Sequence, residues 1–423
     1  MRYLTLLSFI LLLACNKDDI TNTSPSGNNH GKIIYNYFGG LICVDVSTMT
    51  RVWEKPDLFA TPGNVPFYDT GVVFTSSMYG ASAVYANNGN IKWQIRYGYI
   101  GYQNWGLRYT GSPLVKDGLL YILGFSGMSG DTYLYCIDAN TGVIKWQQLI
   151  VTSFDHYDNV NMPVITGDKI LIAGYDWNNK NKVLCYNRLT GTLIWQLDLY
   201  PQGIYPSAYP QTDGSRFYIY NHRKKEIVSF DVNTGEKKWT TKPTLGGLSR
   251  SNKMYVEGEY LYANGEFNSQ TKLGTIYKIH KTTGEVADYV STTEPFNSIF
   301  VDASGIYASA HNAMARFNKE TLVREWTTPS PFETRYGDSA FILNFFFPSE
   351  LVATEQFLYT STTTHFRESP RHCDAEFMIW DKKSGKILKR TELNGCTDFQ
   401  LPEKFIYVED NKPYYPSTGG LKE

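Results

Sequence analysis

Asp155, His156 and Asp158 set two carboxylates and an imidazole close together, the donor types of general acid–base catalysis. Such trios in polar loops are more often solvated than catalytic, so none of the three is assigned a catalytic role. His365 and His372 are candidate metal ligands, but no carboxylates stand at matching spacing and both read as loop histidines. Cys373 and Cys396 flank a hairpin centred on residues 383–385 almost symmetrically and could pair across its open end. In an exported protein an oxidising compartment favours that disulfide over two free thiols. Cys43, Cys136 and Cys185 each precede a recurrent polar position by two residues, where other copies of the same pattern have Ala83 and Ser229. A metal site would require three separate units to converge, so these thiols are read as small core residues. No residue is assigned a catalytic, cofactor-binding or metal-binding role, and no cofactor is expected.

Cys15 carries a different chemistry. Residues 1–15 combine Arg2 with an apolar run over 4–13 that is too short to span a bilayer as a helix, the form of a removable export signal. The run ends in Leu12-Leu13-Ala14-Cys15, which resembles the lipobox of bacterial lipoproteins and implies lipidation at Cys15. Asn16 stands where an Asp marks retention at the inner membrane. Lys17-Asp18-Asp19 resembles the acidic tract of surface-directed lipoproteins, which favours the outer membrane and its external face over the periplasm. Residues 16–30, rich in Asn, Thr, Ser and Asp without apolar periodicity, read as a flexible tether of roughly 20 Å root-mean-square reach.

Residues 31–423 must then supply the folded body. With 40 basic and 41 acidic residues the chain has no footprint for nucleic acid. Its 32 Tyr, 23 Phe, 9 Trp and 35 Gly suit pleated strands joined by tight turns. A strand–turn–strand pattern recurs: residues 134–146 read LYCIDANTGVIKW, and comparable segments end at Trp53, Trp93, Trp195 and Trp239. Three weaker copies end at Asp288, Trp326 and Lys389. The polar positions Asp45, Tyr85, Asp138, Asn187, Asp231, His280, Asn318 and Asp381 recur at the spacing of one four-stranded propeller blade. The fold class predicted is an all-β, eight-bladed β-propeller of four-stranded antiparallel blades, with seven blades and an irregular insertion as the alternative. Apolar runs at 119–123, 169–173, 217–220, 260–263 and 357–360 are taken as the inner strands. The first unit lacks such a run, and residues 405–409 are predicted to complete it; 412–416 reads as a further strand without an assigned place.

The repeat resembles that of the pyrroloquinoline-quinone (PQQ) family, in which the Trp docks neighbouring blades; the resemblance assigns that role to Trp53, Trp93, Trp146, Trp195, Trp239 and Trp326. Over the whole body the pattern is similar to the propeller lipoprotein of the outer-membrane barrel-assembly machinery, which implies a non-catalytic protein-binding scaffold. Quinone-dependent enzymes of the wider family use adjacent cysteines, and this sequence has none. The connections between units carry Tyr97, Tyr99, Tyr102, Trp105, Tyr109, Phe154, Tyr157 and Tyr205, a composition suited either to a recognition rim or to plugging the central channel. An outer-membrane protein is the expected partner, a carbohydrate stacked on the aromatic faces the alternative. Residues 342–347, with Asn344 followed by three Phe, are too apolar to stand exposed and read as a buried strand or a docking insertion.

Overall fold

The computed structural model describes residues 31–37, 39–60, 64–77, 80–96, 112–126, 131–151, 163–175, 181–202, 210–221, 223–243, 254–265, 274–294, 296–310, 313–329, 351–365, 373–393 and 405–415. Their strands form eight antiparallel sheets, each one blade. Blade 1 joins the two ends of the described chain: Lys32–Tyr37, Gly40–Asp45 and Thr50–Lys55 from the start, and Phe405–Glu409 with Lys412–Tyr414 from the end. Blades 2 to 8 follow in sequence within residues 67–96, 114–151, 164–198, 211–241, 254–292, 296–329 and 352–393.

In blades 2 to 6 and 8 the first strand lies at one edge of its sheet and is only two to four residues long. The apolar runs expected to be inner strands are instead the second strands, such as Leu119–Ser126 and Arg216–Asn221. Edge strands of two to four residues are too short to show alternation, whereas the second and third strands are covered on both faces and read as unbroken apolar runs. Residues 227–230 show this directly, with Ile227, Val228, Ser229 and Phe230 all fully buried.

Each third-to-fourth strand pairing carries a register shift at the same place, from Cys43/Val44 in blade 1 to Ile379/Trp380 in blade 8. A bulge leaves one residue unpaired and increases the local twist, turning the next side chain out of the plane of its own blade. That next residue is the Trp, or its counterpart.

The ring is closed by strand pairing between the ends of the chain. Phe405–Glu409 pairs with Lys32–Tyr37 in the register Lys32↔Val408 to Tyr35↔Phe405, as residues 405–409 were expected to do. Lys412–Tyr414 adds a fifth strand beyond it. Tyr407 stacks on Tyr359 of blade 8 with ring centroids 4.2 Å apart, and Tyr415 stacks on Phe67 of blade 2 and donates its hydroxyl to the Tyr68 carbonyl at 2.7 Å. The last strands therefore clamp both neighbours of blade 1. Phe405, Ile406, Tyr407 and Val408 are all buried. At ~1.5–3 kcal/mol per side chain their burial is comparable to the net stability of a domain. A chain ending at residue 404 is therefore expected to lose its cooperative thermal transition, measured by calorimetry. A cooperative transition within a few degrees of the full-length chain would show that closure lies elsewhere.

Candidate functional site

The recurrent polar residue builds the turn between third and fourth strands. The Asp138 carboxylate accepts hydrogen bonds from the Asn140 and Thr141 amides at 3.1 and 2.9 Å and from the Thr141 hydroxyl at 2.9 Å. Asp45, Asn187, Asp231, Asn318 and Asp381 accept from their own turns in the same way. Blade 2 has Tyr85 here and relies on backbone bonding, with the Gly89 amide on the Tyr85 carbonyl at 2.8 Å. Hydrogen bonds from Thr141 hold the Asp138 carboxyl below its ordinary value. Burial pushes Asp45 and Asp231 up, but the bonds from their turns outweigh it and both end lowered.

Each turn is where the next blade docks. The indole N–H of Trp53 donates to the Ala86 carbonyl at 2.9 Å, Trp93 to Ala139 at 2.9 Å, Trp146 to Arg188 at 3.2 Å, Trp195 to Val232 at 3.0 Å and Trp239 to Lys281 at 3.1 Å. The acceptor is always the residue after the turn's polar position in the following blade. The same indole covers that turn's glycine: a Cβ on Gly89, Gly142, Gly191, Gly235, Gly284 or Gly385 would lie 2.6–2.9 Å from the ring of Trp53, Trp93, Trp146, Trp195, Trp239 or Trp326. Trp326 keeps the stacking, but its buried indole N–H has no acceptor among the described residues.

Two junctions are built differently. Asp288 takes the Trp position of blade 6, and the buried Lys278 opposite it reaches into blade 7, donating to the Glu320 carbonyl at 2.9 Å and its carboxylate at 3.1 Å. Lys389 takes the Trp position of blade 8 and donates to the Val46 and Ser47 carbonyls of blade 1 at 2.9 and 2.6 Å; burial lowers its pKa. The turns they meet have Leu322 and Met49 in place of glycine, at φ +54° and +55°.

The turns between first and second strands carry carboxylates, and most are met by a base. Asp117 pairs with Arg188, Glu257 with Lys319 at 3.7 Å and Asp302 with Lys382, each joining one blade to the next. Asp168 pairs with Lys169 at 2.9 Å and Glu259 with Lys281 at 3.6 Å. Arg188, Lys281, Lys319 and Lys382 also occupy the sequence position that receives the docked side chain.

Cys43, Cys136 and Cys185 lie fully buried in three different blades, and burial pushes their thiols up to about 12, 11 and 12. The expectation of a small residue at their position holds in blades 1 to 5 but not beyond, where Lys278, Arg316 and Ile379 stand. Cys15, the rim residues Tyr97, Tyr99, Tyr102, Trp105, Tyr109, Phe154, Tyr157 and Tyr205, the trio at 155–158, His372, Cys396 and residues 342–347 lie outside the described residues. Cys373 begins a strand that pairs it with His365, and its side chain is likewise outside them. The connections from each fourth strand into the next blade leave from the end opposite the docking turns.

The model of a family described as "Outer membrane protein assembly factor BamB" matches residues 23–176 and 130–391. The chain belongs to that family. No curated relative matches the sequence. Among solved structures, BamB from Moraxella catarrhalis is 16% identical, with 66% of this chain and 76% of that one covered and a TM-score of 0.48. Dihydro-heme d1 dehydrogenase NirN in complex with DHE is 14% identical over 87% of this chain and 74% of its own, TM-score 0.61. The quinohemoprotein alcohol dehydrogenase of Comamonas testosteroni is 11% identical over 79% and 69%, TM-score 0.54. The last two likenesses are of fold. Among the described residues no three His, Cys, Asp or Glu side chains converge, and no two cysteines are adjacent in the sequence.

In the BamB-family ring a glycine and the indole on it should behave as one unit. Gly191→Ala, forced to φ +71° beneath Trp146, is expected to cost ~1–3 kcal/mol in urea unfolding. Conversely, Lys389→Trp combined with Met49→Gly should be more stable than the sum of the single changes by ~1 kcal/mol or more; additivity would mean that glycine serves the turn alone. The lowered turn carboxylates stabilise the fold fully above their unfolded pKa, and that stabilisation is lost as pH falls through their lower folded values. Asp138→Asn with Asp231→Asn should therefore flatten the fall of thermal midpoint between pH 5 and 2, since Asn187 already performs the same capping uncharged. An unchanged slope would place the acid sensitivity in other groups.

Proposed function

We propose that this chain is a non-catalytic scaffold, anchored to the outer membrane through lipid on Cys15, that presents a rigid ring to an outer-membrane protein partner. The observation that carries the reading is the family match, which runs through most of the propeller body. The packing supports it. The buried cysteines are held as neutral thiols, and the carboxylates of the first turns are largely engaged by neighbouring bases. The aromatic residues of the long connections, from Tyr97 to Tyr205, are the candidates left for recognition. Tyr and Trp supply large contact area at low entropic cost, the composition of interface hot spots.

A second reading is favoured by the density of aromatics over residues 97–109, five in all: Tyr97, Tyr99, Tyr102, Trp105 and Tyr109. Aromatic faces also stack on sugar rings, so a surface lipoprotein capturing glycans for uptake is the alternative.

Chemical cross-linking in intact cells followed by purification from mild detergent is expected to return the protein with an outer-membrane protein in fixed ratio, and Trp105→Ala with Tyr102→Ala should lower that yield at least tenfold. Repeated recovery of the protein alone, with glycan-array binding that the same changes abolish, would install the carbohydrate reading instead. Externally added protease tests orientation: cleavage on intact cells places the ring outside, and protection places it in the periplasm.

A further inference from the structure

Exposed aliphatic side chains are unevenly distributed around the ring. Val52, Ile91, Val143, Ile144, Leu193 and Ile194 are 40–58% exposed and stand at or just before the start of the outer strands of blades 1 to 4, while blade 7 has Val323 alone at this edge, 61% exposed among the described residues. The docks of Trp53 on Gly89, Trp93 on Gly142 and Trp146 on Gly191 bring these four blade edges together, so the six side chains form one crescent. At the three positions that follow the turn glycine or its counterpart, blades 1 to 4 have no acidic residue, only Arg51, Lys92 and Lys145 among the apolar and neutral ones. The same positions in blades 5 to 7 hold Glu236, Glu285 and Glu325 with Lys237, Lys238 and Arg324. Blade 8 has Lys386, Ile387 and Leu388 there, the two aliphatics half-buried, so only blades 5 to 7 are mixed in charge at this edge and the exposed aliphatics gather on blades 1 to 4.

The described chain begins on this face and at one end of the crescent. Gly31 accepts a hydrogen bond from Val46 at 2.9 Å beside the blade 1 turn, and Lys32 lies opposite Asp45. Fifteen residues, 16–30, separate Cys15 from Gly31. Fully extended they reach at most ~50 Å, and as a coil ~20 Å. A lipid on Cys15 would hold this face, and blade 1 first, toward the bilayer.

We infer that the crescent on the docking-turn edge of blades 1 to 4 rests on a lipid surface, orienting the ring so that its opposite face points away from the membrane. The inference rests on the Cys15 anchor of the proposed function. Val and Leu are under-represented among protein hot spots, whereas aliphatic side chains interleaved with bases suit the headgroup boundary, the Lys stems extending to phosphate. The acid nearest them on blade 1, Glu54, is paired with Arg51. Lys145 also touches Asp138 at 3.3 Å, an exposed pair that leaves its ammonium in water.

The test uses the full chain, purified from membranes and reconstituted in vesicles of phosphatidylethanolamine and phosphatidylglycerol (3:1) containing a diazirine-bearing phospholipid. Photolabel mapped by mass spectrometry is expected on peptides covering 143–149 and 191–197 at least fivefold above those covering 236–241 and 285–292. Ile144→Asp with Ile194→Asp should remove that excess while near-ultraviolet circular dichroism stays unchanged. The intact mass of the same sample reads the anchor: absence of acyl chains on Cys15 would remove the anchor and this inference together. Acylated protein whose label is even around the ring, or absent from it, would overturn the docking alone. A detergent-stable dimer that the two Asp substitutions return to monomer would assign the crescent to a second copy and overturn lipid docking.

Discussion

The contact between an indole and a glycine turn in the next blade sets the geometry on which the rest of this ring depends. The turn glycines have φ values near +70°, and conformation alone would seem to account for them. Leu322 and Met49 argue otherwise. They occupy the equivalent positions at φ +54° and +55°, in the left-handed region that an L-residue can enter at modest cost. Both face blades whose outer strand lacks the Trp, Asp288 and Lys389 standing in its place. Glycine is therefore present wherever an indole must approach to within van der Waals contact and absent where none does. The close approach selects glycine; the turn merely tolerates it.

From that contact the larger features follow in order. The bulge before each Trp swings it out of its own sheet, the indole N–H finds the one carbonyl beyond the neighbour's capped turn, and the spacing of blades is fixed at both ends of the contact. Repeated through the chain, the rotation brings residue 405 back beside residue 32, where backbone pairing and the Tyr359–Tyr407 stack take over. The closing junction has no indole, and a lysine ammonium bridges two carbonyls instead. Closure there is distributed over the paired strands and the clamp of Tyr415, which relieves the single docking residue of the load it bears elsewhere.

The parts legible in the sequence were those that the repeat writes in residue types: the capped turn, the Trp, the number of units and the strand at 405–409 that completes the first. Three features leave no such trace. The bulge changes pairing without demanding a residue, since Val52, Lys145, Ile194 and Glu325 all occupy it. The edge strands of two to four residues carry no period, and the apolar pattern marks the second strands instead. Lys278 stands where blades 1 to 5 have a small residue, and its role depends on a carbonyl in another blade. Long-range substitutions of this kind are invisible to local pattern. The candidate rim was read from composition alone, and its residues fall outside those described.

The charge distribution decides how the two faces should be regarded. Carboxylates recur at the turns between first and second strands, and their partners define what they do. Arg188, Lys319 and Lys382 each come from the following blade, two of them with side chains under a tenth exposed, and a base so buried is stable only while its carboxylate is present. These acids are structural counter-charges for bases that the docking geometry has placed beneath them, and a cation competing for them would leave those bases unpaired. The face is chemically occupied by its own construction, apart from the aliphatic outer edge of blades 1 to 4.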